Sequence, residues 1–291
     1  MQKYYLLEAK NLLSRTKKTL NLRGRLLMLD QPVVMGILNA TPDSFYEGSR
    51  VSAMEAAVAQ AGKMLADGAA MLDVGGYSTR PGADDVSEAE EIRRVVPVIE
   101  SILQQFPGAT VSVDTFRASV AEAAVNAGAL MVNDVSGGAD GQMFETVARL
   151  QVPYVLMHSR GTPQTMAQLT QYNDLLSDML KFFMVKLHTA HKSGIKDVVM
   201  DVGFGFAKTI EQNYFLLRNL DYFRVLELPM LVGLSRKSSI YKKLGITADG
   251  ALNGTTVLNT LALTKGATIL RVHDVKEAVE TVKLHQLYEY S

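Results

Sequence analysis

The sequence has 291 residues, a length that suits one large α/β domain or two smaller ones, and 47% of them are hydrophobic, as in a folded core. Thirty basic and thirty acidic residues give zero formal net charge, so the charge balance indicates no nucleic-acid partner. The absence of cysteine excludes disulfides, a thiolate nucleophile and cysteine-ligated metals, and it fits a reducing cytoplasm.

Residues 1–31 are predicted to form an N-terminal leader and a short hairpin. The leader is basic, as in a transit peptide, but Glu8 interrupts it and no long apolar core precedes a cleavage site. The hairpin is expected within TLNLRGRLLML, residues 19–29. No window reaches the roughly eighteen apolar residues of a membrane-spanning helix, so no membrane partner is expected.

From residue 33 onward, short apolar runs alternate with amphipathic helical patterns. The runs are continuously hydrophobic, which is typical of parallel strands that are covered on both faces. The predicted strands are Val33–Leu38, Ala70–Val74, Thr110–Val113, Leu130–Val132, Tyr154–Met157, Val198–Met200, Met230–Leu234 and Thr268–Val272.

Helix starts between these strands are indicated by residue pairs with capping-box spacing, in which each side chain satisfies the other residue's free backbone N–H. Gly68 supplies a stop for the first helix, and Pro97 should kink the second. The capping pairs are Ser52 with Glu55, Ser87 with Glu90, Thr209 with Gln212, and Asp274 with Glu277.

Eight βα units favour a closed (β/α)₈ barrel, a TIM barrel, over an open sheet, because closure leaves no edge strand exposed. We therefore predict one domain over residues 1–291, a TIM barrel with a short N-terminal hairpin. A Rossmann-like sheet is the alternative. No G-x-G-x-x-G follows the first strand, however, and GFGF at 203–206 follows the sixth strand without the required spacing.

Polar residues stand at the carboxyl end of nearly every predicted strand, where barrels of this kind bind ligands. Burying so many unpaired polar groups would cost about 1–3 kcal/mol each, which argues against a structural role for all of them. Asp73, Asp134 and Asp274 also fit helix caps or loop contacts, and we favour that interpretation for Asp274. The strand-end residues are Asn39, Asp73, Asp114, Asn133, Asp134, His158, Asp201, Ser235, Arg236, Lys237, Arg271 and His273.

Two groups of these residues predict two kinds of ligand contact. The first group suits a flat heterocycle with paired N–H donors, because one carboxylate accepts two parallel hydrogen bonds. It comprises Asp114, Asn133, Asp201 and Lys237. The second group suits an anion, since strands 7 and 8 of such barrels often bind phosphate. It comprises Asn39, Ser238, Arg271 and His273.

Seven stretches of the sequence resemble the dihydropteroate synthase family of pterin-binding enzymes. They are GILNATPDSF, GGYSTRPGA, SVDTF, VNDVSGG, DVGFGFAKT, GLSRKS and RVHDV, in this order, and the resemblance runs from about residue 20 to the C-terminus. It implies a cytoplasmic, homodimeric TIM-barrel transferase of folate biosynthesis that sulfonamides target. The implied reaction joins 4-aminobenzoate to 6-hydroxymethyl-7,8-dihydropterin diphosphate and releases pyrophosphate with the help of Mg²⁺.

The resemblance also implies a role for individual residues. Those that hold the pterin are Asp114, Asn133, Met157, Asp201, Gly233 and Lys237. The diphosphate is assigned to Asn39, Arg271 and His273, with Asn39 also on the metal. The 4-aminobenzoate pocket and the closing loops are assigned to Phe45, Glu47, Thr79, Arg80, Pro81, Phe206 and Ser238, with Lys237 shared. Glu47 departs from the family, which commonly has Asp there.

The expected mechanism needs no protein nucleophile. The C–O bond to the diphosphate breaks, Asp201 stabilises the electron-poor ring, and the arylamine attacks, while Asn39, Lys237, Arg271 and His273 complete the proposed catalytic set.

Three other functions stay open. A methyltetrahydrofolate:corrinoid methyltransferase also binds a pterin but has no use for a diphosphate pocket. A Schiff-base aldolase would use Lys237 as nucleophile. A non-catalytic pterin-binding protein is the third, and the intact loop residues Phe45, Thr79 and Arg80 argue against it.

Overall fold

The computed structural model describes residues 18–40, 50–77, 86–162 and 164–290. An antiparallel hairpin comes first, formed by β1 (Thr19–Leu22) and β2 (Arg25–Met28). The hairpin predicted within residues 19–29 is therefore confirmed.

Eight parallel strands of the described residues close into a barrel in chain order, so the predicted TIM barrel is confirmed. The ladder closes where the last strand pairs with the first, with Arg271 opposite Met35. Each predicted strand forms within two residues of its expected bounds. The strands are β3 (Val33–Asn39), β4 (Met71–Gly75), β5 (Val111–Asp114), β6 (Met131–Asp134), β7 (Tyr154–Met157), β8 (Val198–Asp201), β9 (Met230–Val232) and β10 (Ile269–Val272).

Helices connect the strands and cover the outside of the barrel. They are α1 (Arg50–Ala66), α2 (Glu88–Gln105), α3 (Ala118–Asn126), α4 (Met143–Leu150), α5 (Leu175–Ser193), α6 (Ile210–Arg218), α7 (Ser238–Leu244), α8 (Leu252–Thr264) and α9 (Val275–Tyr290). Short 3₁₀ helices span Met166–Gln168, Leu220–Leu226 and Asp249–Ala251. Within the described ranges, none of the helices combines the length and the apolar character needed to cross a membrane.

The predicted helix starts are confirmed in part. Thr209 forms the complete capping box with Gln212 at the start of α6. Ser87 accepts a hydrogen bond from the backbone N–H of Glu90 at the start of α2, but the Glu90 carboxylate binds Arg94 instead of returning to the cap. Only half of that capping box therefore forms.

The predicted cap at Ser52 is wrong. Helix α1 already includes Arg50, so Ser52 lies inside the helix and its spacing to Glu55 is coincidental. The predicted stop is confirmed, because α1 ends at Ala66 and Gly68 adopts a left-handed φ of +101°.

The barrel wall separates two apolar clusters. One lies between the strands and the helices. The other fills the barrel interior and joins the hairpin to one residue from most of the strands. Its members are Leu20, Leu22, Leu29, Met35, Met71, Met131, Val155, Val199, Leu231 and Ile269.

Side chains alternate between the two faces of each strand, and this alternation determines which residues form the next layer inside the barrel. Side chains two positions apart point to the same face, so the residue two positions after an interior apolar residue also faces the interior. That layer comprises Ile37, Asp73, Asn133, Met157, Asp201, Gly233 and Arg271, and Asp114 joins it two positions after the buried Ser112. A polar interior layer therefore lies on an apolar one, toward the carboxyl ends of the strands.

The hairpin closes the amino end of the barrel. The Arg25 guanidinium donates to the carbonyl of Gly108, just before β5, and the Asn21 backbone N–H donates to Asp197, just before β8. Leu20 and Leu22 are buried against the interior apolar layer. The carboxyl end is the one that presents polar groups.

We expect Leu20→Ala to lower the free energy of unfolding by about 2–5 kcal/mol, because it leaves a cavity between the hairpin and the interior layer. Urea unfolding followed by circular dichroism measures the change. Leu26→Ala on the same hairpin is the matched control, since the Leu26 side chain is 61% exposed and its loss should stay within about 0.5 kcal/mol. Equal losses would show that the hairpin does not seal the interior.

Candidate active site

Arg271 joins two carboxylates across the barrel interior. Its Nε lies 2.6 Å from Asp73 Oδ2, and its Nη2 lies 2.5 Å from Asp114 Oδ2. The Asp73 side chain is fully buried, and that of Arg271 is 18% exposed. Burial alone would lower the pKa of Arg271, but Asp73 and Asp114 together raise it above its ordinary value. The guanidinium is therefore a fixed positive charge in the polar layer.

Asp73 also fixes the amide of Asn133. Asn133 Nδ2 donates to Asp73 Oδ2 at 2.8 Å, so one carboxylate oxygen orients both Asn133 and Arg271. Asp73 Oδ1, Asn133 Oδ1 and Ser112 Oγ are buried without a hydrogen-bond partner in the part of the chain that the structure describes. Buried acceptors normally have a donor, so these oxygens can accept hydrogen bonds from the N–H groups of a ligand or from the O–H groups of water.

The two remaining carboxylates of the layer also have perturbed ionisation. Burial raises the pKa of Asp114, Arg271 opposes that shift, and Asp73 adds to it. Burial also raises the pKa of Asp201, whose Oδ1 accepts the backbone N–H of Gly203 at 2.7 Å. Both groups are desolvated acceptors held at defined positions.

Lys237 stands at the mouth of the barrel, at the N-cap of α7 directly before Ser238. Its Nζ lies 4.6 Å from the ring centroid of Phe206. Burial, and then the charge of Arg271, lower the pKa of Lys237 to about 8 against the opposing charge of Asp201. Phe206 also lines a cavity of about 530 Å³. A cationic and aromatic surface thus borders the carboxylate layer.

The end of β10 is held to the loop after β9. Ser235 Oγ lies 3.0 Å from His273 Nδ1 and also accepts the backbone N–H of His273 at 3.2 Å. Arg236 donates from Nε and Nη2 to the two carboxylate oxygens of Asp274, at 2.9 and 2.8 Å. Asp274 is therefore a loop contact, as favoured from the sequence, and His273 is placed near the mouth.

Asp134 faces away from the ligand site. Its carboxylate accepts hydrogen bonds from the backbone N–H groups of Ser136 and Gly138, from the Ser136 hydroxyl and from the Tyr154 hydroxyl. This buried carboxylate shapes the loop after β6, which matches the structural interpretation considered for it from the sequence.

The structure brings most of the predicted site residues to one end of the barrel. Asn39 ends β3 and is exposed, in register with Gly75, which in turn pairs with Asp114. A Cβ at Gly233 would have open space around it, so glycine keeps that part of the interior free. The predicted loop residues Phe45, Glu47, Thr79, Arg80 and Pro81 lie outside the described residues.

Two residues carry more of the site than their sequence pattern indicates. Asp73 was considered a cap or loop contact, but it is the interior partner of Arg271 and Asn133. A charged residue within the buried run MLDVG was the available signal. Lys208 is buried within the loop after β8, and although it belongs to the stretch DVGFGFAKT, the resemblance assigned it no role.

A TIM barrel with acceptors and cations gathered at its carboxyl end defines a class of enzyme that binds small polar heterocycles. The family model described as "Pterin binding enzyme" matches residues 35–273. The Escherichia coli (strain K12) dihydropteroate synthase is 40% identical over 264 residues, which cover 90% of this chain and 93% of that protein. The chain therefore belongs to the pterin-binding enzymes and, among them, to the dihydropteroate synthase family.

Solved structures agree with this family. A Xanthomonas albilineans dihydropteroate synthase with 4-aminobenzoic acid is 41% identical, with a TM-score of 0.88 over 94% of this chain and 99% of that one. A dihydropteroate synthase from the same organism in complex with 7,8-dihydropteroate is 38% identical, with a TM-score of 0.84 over 93% of this chain and 98% of that one.

We expect Asp73→Asn to lower the free energy of unfolding by about 3–5 kcal/mol, because it removes one charge from a buried ion pair and places an amide N–H against the guanidinium. Guanidinium chloride unfolding measures the change. The control is Asp221→Asn, in an exposed pair with Lys265, for which about 0–1 kcal/mol is expected. If the two variants unfold alike, Asp73 does not organise the interior.

Proposed function

We propose that the polar layer and the mouth of this barrel carry out the dihydropteroate synthase reaction with the chain's own residues in the following roles. The single observation that carries the proposal is the interior network in which Arg271 joins Asp73 and Asp114 while Asp73 orients Asn133. It holds acceptors for a heterocycle and a cation for an anion within one end of one barrel.

The pterin is assigned to the interior layer. Asp201, Asp114 and Asn133 supply acceptors for its N–H groups, and a carboxylate can accept two parallel N–H donors. Met157 packs against the ring, and the open space at Gly233 admits it. Lys237 adds a donor at the rim of this layer.

The diphosphate is assigned to Asn39, Arg271 and His273. Arg271 uses Nε and Nη2 for its two carboxylates, and Nη1 makes no hydrogen bond within the described ranges. One side of the guanidinium is thus available to a phosphoryl oxygen, and its positive charge favours the departure of the leaving group.

Magnesium fits the donor chemistry at the end of β3. The amide oxygen of exposed Asn39 is a hard ligand, and Mg²⁺ is commonly held by one or two protein oxygens together with substrate phosphates and water. The described residues contain no cluster of three or more His, Asp or Glu able to hold a metal. When bound, Mg²⁺ would supply neutralising charge to the diphosphate.

The arylamine is assigned to the surface formed by Phe206, Lys237 and Ser238. Phe206 offers an aromatic face, and Lys237 offers a positive charge to the carboxylate of 4-aminobenzoate. The loop residues Phe45, Glu47, Thr79, Arg80 and Pro81 are proposed to close over this substrate.

Bond breaking and bond making then follow from these positions. The bond between the exocyclic carbon of the pterin and the diphosphate oxygen breaks, with its electron pair leaving on the diphosphate. Asp201 stabilises the resulting positive ring, and the amine nitrogen forms a bond to the same carbon and loses one proton to the released pyrophosphate or to solvent. No side chain forms a covalent intermediate.

Pyrophosphate should appear only when the dihydropterin diphosphate, 4-aminobenzoate and Mg²⁺ are supplied together.

Asp201→Asn should reduce turnover by up to roughly 10⁴-fold, because it presents an N–H to ring N–H groups. A coupled assay for pyrophosphate measures both results. Asp221→Asn, on the exposed surface, should leave turnover unchanged. Near-normal turnover by Asp201→Asn would contradict the pterin placement.

A homodimer in the cytoplasm is proposed as the working form. Exposed apolar side chains on three neighbouring helices support the assembly, because such a surface is normally covered by a partner. They are Phe215 on α6, Leu244 on α7, and Val257 and Leu261 on α8.

Sedimentation equilibrium should give twice the chain mass of 31.8 kDa. Leu261→Glu should shift the protein toward that single-chain mass, because it places a charge in the covered surface. Leu287→Glu on α9 is the control, since Leu287 is also exposed but lies outside the proposed surface. A single-chain mass for the unaltered protein would exclude the dimer.

A further inference from the structure

Lys208 is part of the loop that joins β8 to α6; the residue is only 7% exposed, and its side chain turns back toward residues 203–206 of the same loop. Its Nζ lies 3.0 Å from the carbonyl oxygen of Gly203, 3.0 Å from that of Phe206 and 3.1 Å from Nδ1 of His158. Burial lowers the pKa of Lys208 to about 7, and in the charged form its three N–H donors are matched by these three partners.

His158 is positioned to share this hydrogen bond, and its Nδ1 accepts when the ring proton is on Nε2. Its side chain is 1% exposed and packs edge-on against Phe182, with ring centroids 4.9 Å apart. Burial, and then the charge of Lys208, lower the pKa of His158 to about 2, so the ring is neutral. A neutral ring that carries its proton on Nε2 offers the Nδ1 lone pair to Lys208.

The loop that contains Lys208 has an unfavourable backbone conformation, which side chains stabilise. Gly203, Gly205 and Ala207 all have left-handed φ values, of +67°, +80° and +49°. A left-handed backbone is costly for alanine, by about 1–2 kcal/mol. Asn213 accepts the N–H of Gly205 at 2.7 Å, and the Tyr172 hydroxyl donates to the carbonyl of Ala207 at 2.9 Å. Side chains therefore hold this loop in shape.

The two residues whose carbonyls bind Lys208 are also the two that reach the proposed substrate site. The N–H of Gly203 donates to Asp201, and the ring of Phe206 lies beside Lys237. The space under Gly203 is tight, because a Cβ there would lie 2.1 Å from the carbonyl oxygen of His158. A shift of this loop would therefore move both the pterin acceptor and the arylamine surface.

We propose that Lys208 is a positioning residue, whose ammonium fixes residues 203–206 so that Gly203 orients Asp201 and Phe206 stays against Lys237. This inference rests on the proposed function for its kinetic consequences, but not for its structural ones. Lys208 touches no substrate and acts only through the loop.

The kinetic test uses Lys208→Met, which keeps most of the unbranched side chain and removes the terminal nitrogen with all three donors. A misplacement of about 1 Å in a substrate-positioning group costs roughly 100-fold in rate. We expect kcat/KM to fall by about that factor, with a raised KM for 4-aminobenzoate through Phe206 and a lowered kcat through Asp201. Lys243→Met is the matched control, since Lys243 is 51% exposed and pairs with Glu211 on the surface.

A spectroscopic test reports the loop without turnover. The chain contains no tryptophan, so Phe206→Trp introduces a single indole, which is excited selectively at wavelengths where the eleven tyrosines do not absorb. Adding Lys208→Met to that variant should raise acrylamide quenching of the indole several-fold and lower its anisotropy, whereas adding Lys243→Met should change neither. If the unaltered chain releases no pyrophosphate, the proposed function fails, yet this measurement still decides the role of Lys208.

Lys208→Gln keeps the proposal falsifiable if Lys208→Met does not fold. It replaces the ammonium with a shorter neutral amide that cannot reach all three partners, and it should produce the same changes on a smaller scale. A folded Lys208→Met with unchanged kinetic constants and unchanged quenching would overturn the proposal, even if its melting temperature fell. With Lys208→Met unfolded, unchanged quenching in Lys208→Gln would also overturn it.

Discussion

The guanidinium of Arg271 is the interaction on which the site depends. It lies between Asp73 and Asp114 inside the barrel, where carboxylates without a cation would be prohibitively costly to ionise. Residues 73 and 271 are 198 positions apart in sequence, and only closure of the barrel between β10 and β3 brings them together. Site assembly is therefore coupled to completion of the fold.

The charges are retained at a cost in stability, because a buried ion pair is often no better than a packed apolar pair. The benefit of these charges is that they orient neighbouring side chains of the site. Asp73 has one oxygen shared by Arg271 and Asn133, so two groups of the site take their direction from one atom. The loop that contains Lys208 follows the same design on a smaller scale, since one ammonium orients two carbonyls and thereby two site residues.

The fold could be predicted because each strand is a continuous apolar run, and eight runs with helices between them suit closure. The strand ends also indicated Asp114, Asn133 and Asp201 as candidate site residues. Residues two positions apart on a strand share a face, and these three lie on the face that points into the barrel. The hydrogen bonds that join Arg271, Asp73 and Asn133 could not be predicted from the sequence, because pairing across the barrel depends on strand register. The cap at Ser52 was wrong because capping spacing is short and recurs by chance within helices.

The closed amino end of the barrel determines the route by which substrates and products can move. Among the residues that the structure describes, Leu20 and Leu22 fill the base of the barrel, so the proposed substrates and products are expected to enter and leave at the carboxyl end. A pterin bound in the interior layer at Asn133, as proposed, is then shielded from solvent by the 4-aminobenzoate beside Phe206. Arrival and departure should be sequential, with the heterocycle entering ahead of the amine and the joined molecule leaving by the path on which its halves came.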